Sequence, residues 1–262
     1  MYVFDAHCDR LWKKAYGKEE TLKQKEYSCI CAVFEGVGTR EDVAGQLLII
    51  NKEKEAKEPL IAFEGLSWIK DENDVALIKK HKPVYASPTW NKANFLGGSC
   101  YDDAPMTQLG KEVLKELNEA KIYIDVAHSG RKMFFSVLDE FDDVIFSHGN
   151  IYSQKQHPRN LTDKQIKALI KKDTFLGLSL YSEFVGGDRA EDFVKNVNYV
   201  LDAGGENILG IGSDLDGCNK IIEDNKNVFE KIYDCLLKEN YNDELISKIF
   251  YGNLERLIKK QV

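Results

Sequence analysis

Eight apolar runs of strand length alternate with longer charged stretches of helical period along the 262 residues, and several runs close on a histidine or an acid. Such alternation predicts a parallel sheet covered by helices, and eight repeats of it predict closure into a (β/α)8, TIM-type barrel. An open doubly wound sheet is the other reading, because periodicity does not show closure. The length suits one large domain, and five prolines leave little material for a linker, so residues 1–262 read as a single barrel domain.

In chain order, the run Tyr2 to Ala6 leads into His7-Cys8-Asp9, where a period of two puts His7 and Asp9 on one side. Ser28 to Phe34 is the second run and is followed by a helical stretch, Glu41 to Lys57. Leu60 to Phe63 closes on Glu64, with Gly65 letting the chain turn away, and the helical stretch Asp74 to Lys80 follows. After Val84 to Ser87 comes the longest irregular connection, Asn91 to Gln108, with Gly97-Gly98 and Pro105. A long loop after a barrel strand commonly shapes the active site. Leu109 to Ala120 is helical, and Ile122 to Ala127 closes on His128. Arg131 to Asp139 is helical again, and Val144 to Ser147 closes on His148. Thr162-Asp163 is a helix start before Ile166, Leu169 and Ile170, which share one face of Asp163 to Lys172. Phe175 to Ser179 follows, then the helical stretch Ala190 to Ala203, punctuated by Gly204-Gly205. Ile208 to Gly212 closes on Asp214, and Val228 to Glu239 and Asn242 to Lys260 complete the helical set.

A hydrophobic share of 43% with 30% charged residues is that of a soluble globular chain. A net charge of −7 argues against nucleic acid, whose partners carry a basic footprint. No basic leader with an apolar core precedes the first strand, and no apolar run approaches bilayer length, so the expectation is a cytoplasmic protein without a membrane partner. The six cysteines read as reduced, mostly buried thiols. Cys29 and Cys31 share a strand face, but a soft-metal site there would need further ligands, and no second Cys or His pair lies nearby in sequence. Cys8 reads as packing behind its neighbours.

Singly, the strand-end residues have ordinary roles: Glu64 as a helix cap, His128 and His148 as hydrogen-bonded rim residues, Asp214 as a turn former. Taken together, three of the five histidines fall at the C-terminal ends of predicted strands. In a barrel those ends converge on the one face where active sites are built. Imidazole and carboxylate are both good ligands for a divalent metal. His81 and His157 lie in connecting segments and read as ordinary polar residues.

The segments Asp5-Ala6-His7-Cys8-Asp9, Phe63-Glu64-Gly65, Leu109 to Val113, Asp125-Val126-Ala127-His128-Ser129, Ser147-His148, His157 to Asp163, Gly210 to Gly217, and the tail Tyr251 to Arg256 follow one another in order. With them the chain resembles the membrane (renal) dipeptidase family of zinc metallopeptidases, in its short bacterial form. The resemblance implies an amidohydrolase-like barrel with two zinc ions, other divalent metals being acceptable to the same ligands. His7 and Asp9 would bind one ion, His128 and His148 the other, and Glu64 would bridge them. Two cations so held lower the pKa of a shared water and yield hydroxide at neutral pH. Asp214, matching the family's strand-eight acid, would move the proton to the leaving amine. Arg159 matches the family's substrate-binding arginine, whose planar fork suits a dipeptide's terminal carboxylate. Asp216 reads as structural.

At Ser87-Pro88-Thr89-Trp90-Asn91 the chain departs from the animal members, which carry a substrate-binding histidine where Trp90 stands. An indole donates one hydrogen bond and accepts none, so oxyanion stabilisation there weakens or passes to other groups. Neither the animal form's secretion signal nor its lipid-anchor tail is expected on this reading. The resemblance thus implies hydrolysis of small dipeptides, L,D dipeptides among them, with a second copy of the chain as an implied partner. Two other readings stay open. One is a dinuclear metallohydrolase of another small amide, lactam or ester; the other is a catalytically silent, metal-stabilised binding protein, against which the presence of Asp214 argues.

Overall fold

The computed structural model describes residues 1–18, 27–36, 38–53, 60–224 and 227–261. Eight parallel strands pair in chain order: β1 (Val3–Cys8), β2 (Tyr27–Phe34), β3 (Ile61–Glu64), β4 (Tyr85–Ser87), β5 (Tyr123–Asp125), β6 (Val144–Gly149), β7 (Phe175–Leu178) and β8 (Leu209–Ile211). This order makes β1 and β8 the outer members, and past their last residues they meet. The Asp214 amide donates to the His7 carbonyl at 3.1 Å and the Asp9 amide to the Leu215 carbonyl at 2.8 Å. Buried Asp5 stitches the same seam, accepting from the Ser213 amide at 2.7 Å and from its hydroxyl. The sheet is therefore a (β/α)8 barrel, and the open doubly wound alternative is excluded.

Each strand is buried on both faces, which is why all eight read as near-continuous apolar runs. Phe4, Ala6, Ile30, Ala62, Tyr85, Tyr123, Ile145 and Phe175 form an inner cluster. Leu254 and Leu257 of the last helix (Asn253–Gln261) join it from below and plug the barrel floor. The floor is also tied by polar bonds. Gln261 Nε2 donates to the Val84 carbonyl at 3.0 Å, and Asn253 Nδ2 donates to the Glu206 and Leu209 carbonyls at 2.9 and 2.8 Å. Val3, Cys29, Cys31, Val33 and Phe63 belong instead to the larger cluster between the sheet and its helices.

The expected helices form with ends shifted by a residue or two, as at Glu72–His81, Gln108–Glu119 and Arg131–Glu140. Thr162 completes a capping box with Gln165 at the start of Asp163–Lys171. The stretch expected from Glu41 to Lys57 is helical over Arg40–Glu53, and residues 54–57 lie outside the described residues. Three features differ from expectation. The stretch Asn242 to Lys260 is not one helix but Asp243–Ser247, a π-turn at Lys248–Gly252, and Asn253–Gln261. The wider turn accompanies burial of Ile249 and Phe250 within it and of Leu254 and Leu257 in the helix that follows. Two short helices, Arg10–Ala15 and Ser182–Val185, span too few residues to show a helical period.

The connection from Asn91 to Gln108 folds over the end of β5. The Cys100 amide donates to the His128 carbonyl at 2.8 Å, the Gly130 amide donates to the Gly98 carbonyl at 3.1 Å, and Thr107 caps the helix that follows. Among the described residues, no helix is long and apolar enough to cross a membrane.

Candidate active site

Strand ends deliver the site. His7 and Asp9 come from the end of β1, Glu64 is the last residue of β3, His128 lies just past β5, His148 lies within β6, and Asp214 follows β8. His7, Asp9, Glu64, His128 and His148 are each at most 4% exposed. Glu64 Oε1 is the hub, 2.9 Å from His128 Nε2, 3.4 Å from His7 Nε2 and 3.5 Å from His148 Nε2. His7 Nε2 also lies 3.5 Å from Asp9 Oδ2, as the period of two requires. His7, Asp9 and Asp214 bring ligand atoms within 4.8 Å of one another. The residues singled out in sequence thus meet at one point.

The other nitrogen of each imidazole is already committed, and this fixes the tautomers. Tyr85 Oη donates to the Ala6 carbonyl at 2.9 Å, so it accepts from His7 Nδ1 at 2.7 Å. Ser147 Oγ donates to Asp125 at 2.7 Å, so it accepts from His148 Nδ1 at 2.8 Å. His128 Nδ1 donates to Asn91 Oδ1 at 3.2 Å, and Arg159 Nη2 donates to His128 Nε2 at 3.0 Å. All three rings therefore turn Nε2 toward the Glu64 carboxyl, and the Nε2 atoms of His128 and His148 stand 3.1 Å apart. Outer partners of this kind orient metal-binding imidazoles and raise their basicity. Three ring nitrogens and a carboxyl group converging in one buried space need protons or a cation among them to offset their mutual repulsion. His7 Nε2 and Asp9 Oδ1 are buried and make no hydrogen bond. The donor set fits divalent metal.

The charges are tuned by the same crowding. Burial disfavours a charge on His7, but the Glu64 and Asp9 carboxylates outweigh it and push its pKa up to about 10. The field that favours a proton there equally favours a metal cation. Burial, with Arg159 and His7 adding to it, holds His128 and His148 well below the usual histidine range, so both stay neutral. Burial raises Glu64 well above the usual carboxylate range, and burial followed by the Asp9 charge pushes Asp214 up to about 7.

Asp214 has a left-handed backbone, with φ at 62°, a conformation Asp tolerates better than most residues. Three positions on, a Cβ on Gly217 would collide with the carboxylates of Asp9 and Asp214, so only glycine lets the β8 loop close over the site. Asp216 points away and pairs with Lys13 at 2.9 Å.

Above the carboxylates opens a cavity of about 470 Å³. Trp12, Phe34 and Trp90 line it, and so do Tyr101, Tyr181 and Phe184. Trp90 packs edge-on against Phe34 at 4.8 Å and lies 6.2 Å from the His128 ring. Arg159 is 3% exposed, bonded to the Ala127 carbonyl, and stands over the Phe184 ring at 5.3 Å. Its Nε makes no hydrogen bond. His157 departs from its sequence reading as an ordinary connecting residue: it lines the cavity and packs on Phe184 at 4.7 Å. Sequence reasoning also passed over Tyr85, Asn91, Ser147 and Asp125 as partners of the histidines. The adjacency of Ser147 to His148 and of Asn91 to Trp90 was the available signal.

Comparison with known proteins gives a consistent result. The family model described as membrane dipeptidase (peptidase family M19) matches residues 44–262, a span that begins after β1 and β2. An uncharacterised protein in the pqqA 5' region of Klebsiella pneumoniae is 25% identical over 190 residues, which is 66% of this chain and 70% of that protein. Dipeptidase tcpJ of Claviceps purpurea is 26% identical over 213 residues, 77% of this chain but 50% of its own length, so the chain spans about half of that relative. Among solved structures, a metallopeptidase of Rhodobacter sphaeroides liganded with a phosphinate mimic of L-Ala-D-Ala has a TM-score of 0.88 at 18% identity, covering 100% of this chain and 99% of that one. A dipeptidase AC of family M19 has a TM-score of 0.88 at 19% identity, with the same coverage. At such identities the likeness establishes the shared barrel.

Proposed function

The chain belongs to the membrane dipeptidase family of metallopeptidases, a family of peptide-bond hydrolases, and from that premise we propose that it hydrolyses small dipeptides, L,D dipeptides among them, at a dinuclear zinc site. His7 and Asp9 would hold one ion and His128 and His148 the other, with Glu64 available to both. The observation that carries this reading is the convergence of three Nε2 atoms on Glu64 Oε1, with every Nδ1 engaged elsewhere. Such a pair of ions supplies a polarised carbonyl and a water acidic enough to react near pH 7.

The chain's own residues do the rest. Asp214 takes the proton of the attacking water at a carboxylate oxygen and returns it to the leaving amine, a task that suits a carboxyl raised toward neutrality. Arg159 offers its guanidinium to the terminal carboxylate of the dipeptide. Trp90, with Phe34 and Trp12, packs one side chain of the substrate, while Tyr101, Tyr181 and Phe184 face the other. Tyr85, Asn91 and Ser147 keep the imidazoles in the metal-binding tautomer.

Metal-free protein should be inactive toward dipeptides, and zinc should restore turnover; full activity without metal would sink the reading. Asp214→Asn should retain both metals while turnover falls by about 10²–10⁴. Glu64→Gln should bring metal below two ions per chain, so equal metal loss in both variants would refute the division of roles. Arg159→Met should raise KM for free dipeptides more than for their amides.

A further inference from the structure

On the outer face of β1 and β2 lies a second cluster of metal-competent side chains, one of which, Cys8, stands between His7 and Asp9 at the end of β1. The sheet register sets Cys8 opposite Cys31, and Cys29 shares the face of Cys31 two residues earlier on β2. Cys29 Sγ and Cys31 Sγ are 3.5 Å apart, and the three sulfurs all lie within 4.8 Å of one another. Each residue is at most 8% exposed, and all three thiols are free. The third ligand that the sequence did not show beside Cys29 and Cys31 comes from the neighbouring strand.

We infer that Cys8, Cys29 and Cys31 form a three-coordinate thiolate site for a soft, thiophilic cation of the copper(I) class, separate from the proposed hydrolytic centre. Sulfurs bound about 2.3 Å from one metal stand roughly 3.8–4.0 Å apart. With Cys29 and Cys31 sulfurs 3.5 Å apart and all three within 4.8 Å of one another, small side-chain rotations bring them to that spacing. Thiolates select soft metals over the hard and borderline ions that carboxylate and imidazole accept. Among the described residues no carboxylate or imidazole joins the three sulfurs at that range, and this disfavours zinc, which takes a fourth ligand. Binding releases the thiol protons, and three thiolates around a monovalent cation carry a net double negative charge. Arg10, the first residue of the helix Arg10–Ala15, sets its Nη2 3.4 Å from Cys31 Sγ and offsets part of that charge.

The test uses whole protein with zinc already loaded, so that the barrel mouth is filled, and one equivalent of copper(I) supplied anaerobically. Copper-edge X-ray absorption should show three sulfur neighbours and no nitrogen. Cys29→Ser should weaken copper(I) retention against a chelator by about 100-fold or more, Cys235→Ser should leave it unchanged, and both should keep the zinc-dependent hydrolysis. Should Cys29→Ser fail to fold, the spectrum of the unaltered protein decides. Nitrogen or oxygen ligation, fewer than three sulfurs, or unchanged retention in a folded Cys29→Ser variant would overturn the site.

Discussion

At the mouth of the barrel the Glu64 carboxyl is buried 2.9–3.5 Å from the Nε2 atoms of three imidazoles. At the floor, Asp173 takes two hydrogen bonds from Arg256, at 2.9 and 3.1 Å, and a third from Lys260 at 3.4 Å. Both ends gather charge, but only the floor satisfies it within the chain. Below that paired rim, Leu254 and Leu257 seal the interior with apolar surface. The contrast teaches where stability and chemistry reside: the floor holds the barrel shut, and it lets the mouth keep polar groups that would be destabilising without a cation.

The largest test of this division is at the floor plug. Leu257→Ala should cost about 2–5 kcal/mol of unfolding free energy in denaturant titrations, while the folded fraction keeps its metal content and KM. A loss of metal affinity out of proportion to stability would mean the two ends are coupled. At the mouth, Tyr85→Phe removes the hydroxyl that accepts from His7 and should lower zinc affinity by about 10–100-fold in chelator competition, with little change in the metal-free unfolding midpoint. No change in affinity would show that the tautomer of His7 is set by something else. The smallest effect belongs to Asp173→Asn, expected to cost a few tenths of a kcal/mol at pH 7, as partly exposed ion pairs do. The bonds from Arg256 hold the Asp173 carboxyl below its ordinary value. Its stabilisation is therefore fully present above the unfolded pKa of about 3.9 and is lost as pH falls through the lower folded value. Unfolding curves of the two proteins should converge on acidification; divergence would reverse the sign assigned to this pair.

The strands were legible because a strand buried on both faces must be apolar throughout, and the histidines because they interrupt those runs at their ends. What stayed hidden depends on pairing between strands. Nothing near Cys29 and Cys31 in sequence announces Cys8, since parallel register alone sets β1 against β2. Tyr85 reads as one more aromatic core residue; its ring is in the inner cluster, and only its hydroxyl reaches His7. The helix Arg10–Ala15 left no periodic trace because Leu11 is its one fully buried side chain. His157 was read by its place in a connection, whereas the fold of that connection brings it over the cavity beside Phe184.

The seam between β1 and β8 has a consequence for the order in which a ribosome delivers this chain. His7 and Asp9 emerge first, yet the backbone bonds that pin them come from Asp214 and Leu215, some two hundred residues later. The floor helix that seals the interior arrives later still. A growing chain can form the β1 to β7 wall, with Glu64, His128 and His148 in place, before β8 and Asp214 arrive to close the seam beside His7 and Asp9. The seam is thus the last part of the barrel mouth to be completed, and an interrupted chain carries the strand-end histidines without Asp214 beside them.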